Sequence, residues 1–270
     1  MNTGKLDPAV TDYINDQNLD SVKDAFDCEL GEDMVKPGLG NRRRTRLKFR
    51  DRTGRAWELF FKRYYPLPLL KRIYLFLTFR GNRSQARTEY YNIQALREAQ
   101  VGTMRDVVFG DERGFLGVKR SYIIVTSVSG DALERNGEAF LTRHQNQPVV
   151  LKTFNDKLIE LVRGMHSSGL VHRDLYASHI FLQDHDGRIE LFLIDVARVF
   201  RPKRRKFRWR VKDLAQLKYS APWLWVNQYW KYFMDGYLES DVQEQRQRWE
   251  KAIDKKVAAM QKRAARKAKG

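Results

Sequence analysis

Two aspartates carry the chemistry this sequence offers. Asp174 stands in Val171-His172-Arg173-Asp174-Leu175-Tyr176-Ala177-Ser178-His179, and Asp195 closes the apolar run Leu191-Phe192-Leu193-Ile194. Phosphoryl transfer from ATP needs such a pair: one carboxylate to take the proton of an attacking hydroxyl, another to hold magnesium against the phosphates. Asp174 is the candidate catalytic base and Asp195 the candidate metal ligand, while His172 and Arg173 fit support of the loop. A His-Arg-Asp triplet alone matches by chance in many proteins. Its weight depends on whether the remaining parts follow in order.

They do. Lys62 closes the run Glu58-Leu59-Phe60-Phe61-Lys62, where a strand-end lysine would contact the α- and β-phosphates, held by a carboxylate from the next helix. Glu89 fits that carboxylate, because it lies mid-helix on the face near Ile93; Glu98 is the rival. Upstream, Lys36-Pro37-Gly38-Leu39-Gly40-Asn41 places Gly38 and Gly40 where backbone N–H groups would approach phosphates, although Arg43 stands at the third glycine position. Asp213, in Arg210-Val211-Lys212-Asp213-Leu214-Ala215, matches a helix-start aspartate that braces a catalytic loop. His179 departs from the pattern, since protein kinases place a magnesium-binding asparagine five residues beyond the base. A neutral imidazole could ligate metal or hydrogen-bond the loop, though it suits hard Mg²⁺ less well than an amide oxygen. Eighteen residues lead from Asp195 to Asp213 (213 − 195), too few for an activation loop and a peptide platform. The acceptor is therefore expected to be a small molecule or a glycan.

These residues need elements to hold them. Arg42–Arg50 and Arg55–Tyr64 flank the turn Asp51-Arg52-Thr53-Gly54 and read as a β-hairpin. A helix over about 84–99 is capped by Asn82 or Ser84 and carries Ile93 and Leu96 on one face. Tyr122–Val128 reads as a buried strand, and Leu151–Ser167 as a helix with Phe154, Leu158, Leu161, Val162 and Met165 at helical spacing, ended by Gly169. Ile180–Leu182 and Ile189–Ile194 form two short strands around Asp184-His185-Asp186-Gly187. A basic loop, Arg201–Lys212, leads into a Trp/Tyr-rich helical region ending near Tyr237. This order predicts an α+β, bilobal protein-kinase-like fold: a small antiparallel-sheet N-lobe over 34–128 and a mostly helical C-lobe over 129–240. Residues 1–33 read as a polar, mildly acidic lead-in and 241–270 as a basic helical tail.

With 270 residues and 42% hydrophobic content the chain can bury one large core or two modest lobes. Its net charge of +18 implies a polyanionic partner, and nucleic acid, anionic membrane and acidic glycolipid all qualify. Cys28 is the single cysteine, which leaves no intrachain disulfide or thiolate metal cluster and suits a reducing compartment. The polar N-terminus has no apolar signal core and no run is long enough to span a bilayer, so a cytoplasmic protein with peripheral membrane contact is expected. Lys203, Arg204, Arg205, Lys206, Arg208, Arg210 and Lys212, interleaved with Phe207 and Trp209, could meet an anionic acceptor or membrane, each charge contributing roughly 1 kcal/mol near such a surface. Pro66–Phe79 could dip into an interface or pack on the small lobe, and the stripe Trp249, Ile253, Val257 and Met260 could serve a membrane, a partner or nothing but solubility.

The segments 169–182, 191–199 and 208–221 (Gly-Leu-Val-His-Arg-Asp-Leu-Tyr-Ala-Ser-His-Ile-Phe-Leu, Leu-Phe-Leu-Ile-Asp-Val-Ala-Arg-Val and Arg-Trp-Arg-Val-Lys-Asp-Leu-Ala-Gln-Leu-Lys-Tyr-Ser-Ala) resemble the bacterial lipopolysaccharide kinase family, the Kdo/heptose kinases of the inner core. The likeness runs loosely from about Gly40 to Tyr237. It implies ATP with Mg²⁺ and transfer of the γ-phosphoryl group to a Kdo or heptose hydroxyl at the cytoplasmic face of the inner membrane. It assigns Asp174 as base, Asp195 as metal ligand, His179 to the second metal position, Lys62 to the phosphates and Glu89 to Lys62. On this reading the acceptor is the lipopolysaccharide core glycolipid and no nucleic acid is expected. Two other readings stay open: an atypical Ser/Thr protein kinase, and a pseudokinase or basic scaffold that binds nucleic acid or membrane. Oligomeric state is not legible.

Overall fold

The computed structural model describes residues 6–34, 40–77, 84–115, 117–238 and 243–268. The chain divides into two compact units, one of residues 1–94 with 104–127 and one of residues 95–103 with 128–270.

In the first unit two short helices, α1 (Pro8–Asp16) and α2 (Val22–Asp27), precede a five-stranded antiparallel sheet. Its strands are β1 (Glu32–Asp33), β2 (Arg42–Arg50), β3 (Ala56–Tyr64), β4 (Asp106–Gly114) and β5 (Gly117–Thr126), in the order β1-β2-β3-β5-β4. Between β3 and β4 lie helices α3 (Leu69–Leu77) and α4 (Gln85–Glu98). The β2–β3 register pairs Arg42 with Tyr64 and Arg50 with Ala56, closing around the expected Asp51–Gly54 turn. Asp51 fixes that turn: its carboxylate accepts from Thr53, Arg55 and the Trp57 indole, which together hold its pKa down at about 2.

The polar lead-in has more structure than its composition suggests. Asp7 caps α1 and Ser21 caps α2, and Val10, Ile14, Leu19 and Ala25 are buried in one cluster with Leu47, Leu59, Phe61, Tyr122 and Ile124 of the sheet. The acidic residues mask this in a composition count, because only every third or fourth side chain of these helices turns inward. Sequence reasoning also missed β4, whose alternation is interrupted by bulges next to Asp106 and at Glu112/Arg113. Asn82 and the segment 35–39, with Gly38, lie outside the described residues. Ser84 is the cap that is seen, its Oγ accepting from the N–H of Arg87 at 2.9 Å.

The second unit opens with β6 (Asp131–Ala132), α5 (Leu133–Arg143) and α6 (Pro148–Ser167). Next come a 3₁₀ turn at Ala177–His179, β7 (Ile180–His185), β8 (Arg188–Leu193) and a second turn at Val196–Arg198. Helices α7 (Lys206–Ser220), α8 (Trp223–Leu238) and α9 (Gln243–Lys267) complete it. Strands β6, β7 and β8 form a small antiparallel sheet. The core draws on Phe140, Phe154, Leu158, Val162, Met165, Leu214, Leu217, Trp225 and Phe233, all essentially inaccessible to solvent.

Two expectations about surface segments change here. Residues 206–212 form the first two turns of α7 rather than a loop, so their side chains point in different directions. Phe207 packs edge-on against Trp249 at 4.6 Å and Trp209 against Phe200 at 5.2 Å, so neither aromatic is free for a membrane. The tail helix is not detached either. Trp249 and Ile253 of its stripe are buried, and Asp254 pairs with Lys218 at 2.7 Å.

Candidate active site

In the first unit, Lys62 Nζ donates to Glu89 Oε1 at 2.5 Å, and the Tyr64 hydroxyl donates to Glu89 Oε2 at 3.0 Å. Lys62 and Tyr64 sit two residues apart on β3, so the period-2 pleat turns both toward α4 and the same carboxylate. Glu89 is fully buried, and burial next to that carboxylate raises the Tyr64 pKa far above the ordinary phenol value, so its proton stays in place. Glu98, the rival, is an exposed residue at the end of α4. Tyr64 was not anticipated. Its signal was available, since a residue at i+2 from a strand lysine shares its face. Gly40 has a left-handed φ of +60°, which favours glycine, and open space beside its Cα.

In the second unit, α7 holds the catalytic-loop segment by its backbone. Asp213 Oδ2 accepts from the N–H of His172 at 2.7 Å and Oδ1 from the N–H of Arg173 at 2.8 Å. Gln216 accepts from Leu175 N–H at 3.3 Å and Ser220 from Ala177 N–H at 2.7 Å. Positions 213, 216 and 220 are i, i+3 and i+7 on one helix face, so a single stripe reads four backbone donors. The brace matters because Arg173 has φ +71°, a conformation costing roughly 1–3 kcal/mol that the surroundings must enforce. Its guanidinium lies over Phe200 at 5.4 Å and Trp209 at 5.6 Å. A cation between aromatic faces needs no anionic partner to stay put.

The His172 imidazole and the His179 backbone tie the loop to the residue after β8. His172 Nε2 bonds Ile194 O at 3.1 Å, and His179 N–H and C=O meet Tyr176 O and Ile194 N–H. His179 Nδ1 lies 2.7 Å from Asp174 O, and a carbonyl can only accept, so Nδ1 donates there. The other ring nitrogen, Nε2, faces Asp195, whose Oδ2 is 3.8 Å away. Asp195 itself has φ +55°, the strained turn that follows β8. Asp195 and His179 thus supply a hard oxygen donor and a borderline nitrogen donor side by side. That set fits Mg²⁺ of the kind held by one or two carboxylates plus substrate phosphates, with no all-protein cage. Among the described residues no cluster of three or more metal-ligating side chains occurs.

Asp174 is accompanied by two cations the sequence did not announce. Arg198 Nη1 is 2.7 Å from Asp174 Oδ2, and Lys212 Nζ is 3.8 Å from Oδ1 while donating to Arg173 O. Lys212 was grouped with the surface bases on charge alone. Of that group, Lys203, Arg204, Arg205, Lys206 and Arg208 are exposed, but Arg210 is engaged at 2.5 Å with the carbonyl of His166.

Two buried histidines make this region acid-sensitive. Burial lowers the pKa values of His166 and His172, and Asp213 opposes the change in both. A depressed histidine is neutral when folded but protonated when unfolded, so stability is full above about pH 6.5 and falls as pH drops below it. Urea unfolding between pH 7.5 and 5.5 is expected to show a loss approaching about 1.4 kcal/mol per pH unit for each histidine below pH 6.5. His166→Gln should reduce that slope by one proton's worth; an unchanged slope would mean that His166 does not contribute.

Comparison with known proteins gives a consistent result. The lipopolysaccharide kinase (Kdo/WaaP) family model matches residues 38–237. The lipopolysaccharide core heptose(I) kinase WaaP of Pseudomonas aeruginosa is 33% identical over 141 residues, covering 50% of this chain and 52% of that protein. The protein of the same name from Escherichia coli is 28% identical over 191 residues, covering 66% and 71%. The match thus spans about half the length of the first of these relatives. A solved structure of WaaP in complex with acyl carrier protein superimposes with a TM-score of 0.69 at 22% identity, over 92% of this chain and 95% of that one, and shows the protein-kinase-like fold. With 200 consecutive positions (38 to 237) of its 270 matched, the chain belongs to the lipopolysaccharide kinase (Kdo/WaaP) family.

Proposed function

We propose that the protein is an ATP-dependent kinase that phosphorylates a sugar hydroxyl of the lipopolysaccharide inner core, with heptose favoured over Kdo because the relatives bear that name. The observation that carries the kinase reading is the buried Lys62–Glu89 pair at 2.5 Å. Replacing a buried ion pair by apolar side chains is often neutral or stabilising by about 1–4 kcal/mol. A scaffold protein has no reason to keep it, whereas a kinase needs a fixed ammonium for the α- and β-phosphates.

Asp174 then accepts the acceptor hydroxyl proton, Lys62 orients the nucleotide with Glu89 as its anchor, and Asp195 with His179 Nε2 would hold Mg²⁺. The metal ion, when bound, neutralises charge developing on the phosphates. Gly40, with its left-handed φ and the open space beside it, would let backbone N–H groups approach the triphosphate. The short connection from Asp195 to α7 offers no platform for a peptide, which favours a glycan acceptor over a protein. The exposed cations Lys203, Arg204, Arg205, Lys206 and Arg208 suit an anionic glycolipid at the cytoplasmic face of the inner membrane. Helix α3 strengthens this, since Leu69, Leu70, Tyr74 and Leu77 are all exposed on a helix of nine residues. No helix among the described residues is long and apolar enough to cross a membrane.

The test is labelled ATP with Mg²⁺ and either lipopolysaccharide, casein as a protein acceptor, or no acceptor, for wild type and Asp174→Asn. Label is expected in lipopolysaccharide with wild type only, the variant losing about 10²–10⁴-fold. Equal transfer by Asp174→Asn would remove the base assignment. Label in casein alone would favour a protein kinase, and salt-dependent DNA binding without ATP turnover would favour a scaffold.

A further inference from the structure

The loop that carries Asp174 has no Lys or Arg between that residue and Arg188. A phosphoryl group in flight spreads charge over its equatorial oxygens, and a fixed donor beside the base is the ordinary way to stabilise it. Two cations approach Asp174 from other elements, and their surroundings separate their roles. Arg198, on the turn after Asp195, has a side chain 55% exposed, so its pair with Asp174 Oδ2 is worth at most about 1 kcal/mol and yields readily to an incoming hydroxyl. Lys212 has a side chain only 25% exposed and is tethered to the Arg173 carbonyl on a buried face of α7, one residue before Asp213. Its tether to the Arg173 carbonyl does not involve Arg198. Burial lowers its pKa, while Asp174 and Asp213 oppose that shift.

Resting on the reading of the protein as an ATP-dependent kinase, we infer that Lys212 is a catalytic residue whose ammonium hydrogen-bonds the γ-phosphoryl oxygens during transfer. The acceptor oxygen bonds to the γ-phosphorus as the bond to the β–γ bridging oxygen breaks, and ADP leaves with that electron pair. The hydroxyl proton passes to Asp174, and Lys212 keeps its own proton throughout. The ammonium therefore enters from helix α7 rather than from the residues that follow Asp174, none of which is Lys or Arg before Arg188.

The experiment uses the full chain with ATP and Mg²⁺, read both as label transfer to lipopolysaccharide and as ADP release without acceptor. Lys212→Met should lower kcat by about 10²–10³-fold with KM for ATP and acceptor within about threefold, the pattern of a group that acts in the transition state. To separate charge from packing, Lys212→Cys in a Cys28→Ser background is alkylated with 2-bromoethylamine, which restores an ammonium at nearly the same reach. Alkylation should recover at least about tenfold of the lost rate while the thermal midpoint stays constant. A Lys212→Met kcat within about fivefold of wild type, or a folded Lys212→Cys protein that gains nothing on alkylation, overturns the inference. If wild type releases ADP without labelling lipopolysaccharide, the acceptor assignment falls and the same ratios on ADP release decide Lys212. A wild type inert in both assays overturns the inference together with the kinase reading.

Discussion

The triple substitution Lys62→Met/Tyr64→Phe/Glu89→Leu is expected to fold with stability close to that of wild type while phosphoryl transfer disappears. Each single change should behave differently. Lys62→Met leaves the fully buried Glu89 carboxylate with the Tyr64 hydroxyl as a neutral donor, and Glu89→Leu leaves an ammonium against apolar groups. Breaking a buried pair from one side costs about 3–5 kcal/mol. Tyr64→Phe alone removes one donor to a charged oxygen and should cost about 1–3 kcal/mol with a modest effect on KM for ATP. Removing all three together leaves no orphaned polar atom in that group, so most of the destabilisation should vanish. Urea midpoints for the singles and the triple, alongside ADP release, make the comparison. A triple variant as unstable as Lys62→Met would show that the pair is structural, and that function is not what retains it.

Much of this site could be read from residue order, and the reasons for the rest are specific. Lys62, Asp174 and Asp195 each sit near an element boundary that apolar runs, glycine and charge make visible: a strand end, a loop after Gly169 and a strand end. Asp213, expected at a helix start, lies mid-helix in α7 instead, because the basic run before it is itself helical. Glu89 was selected over Glu98 by its place mid-helix, which is where burial falls on an amphipathic helix. What stayed hidden were contacts set by side-chain direction. Lys212 looks like a member of the basic run and Arg198 like an ordinary base after Asp195, because charge counts carry no orientation. Only the α7 geometry shows that position 212 turns inward beside 213, while Lys206 and Arg208 turn out. How the lead-in is anchored stayed hidden for the opposite reason. Its acidic surface outweighs the few residues that anchor it, and Val10, Ile14, Leu19 and Ala25 suffice to join it to the sheet core.

Asp213→Asn is expected to be strongly damaging although Asp213 itself touches no reacting group. The carboxylate accepts three contacts, from His172 N–H, Arg173 N–H and His166 Nε2 at 2.7, 2.8 and 3.3 Å, and it is fully buried. An amide of the same shape offers one oxygen. Its NH₂ must then face the N–H of Arg173, or that of His172 together with the His166 ring, and a buried donor set against a donor forfeits that bond and strands both groups at about 1–3 kcal/mol each. Arg173, at φ +71°, loses part of what enforces its conformation, and the adjacent Asp174 carboxylate shifts with it. A displacement near 1 Å at a reacting group costs about 10²-fold in rate. Asp213→Asn should therefore lower kcat by about 10² or more and cut stability by about 3 kcal/mol, with KM for ATP little changed because Lys62 and Glu89 belong to the other unit. The charge also supports His166, so its removal should steepen the acid sensitivity below pH 6.5. A variant with wild-type kcat would mean that Gln216 and Ser220 hold the loop without it, and the brace would then belong to the α7 face as a whole rather than to its first carboxylate.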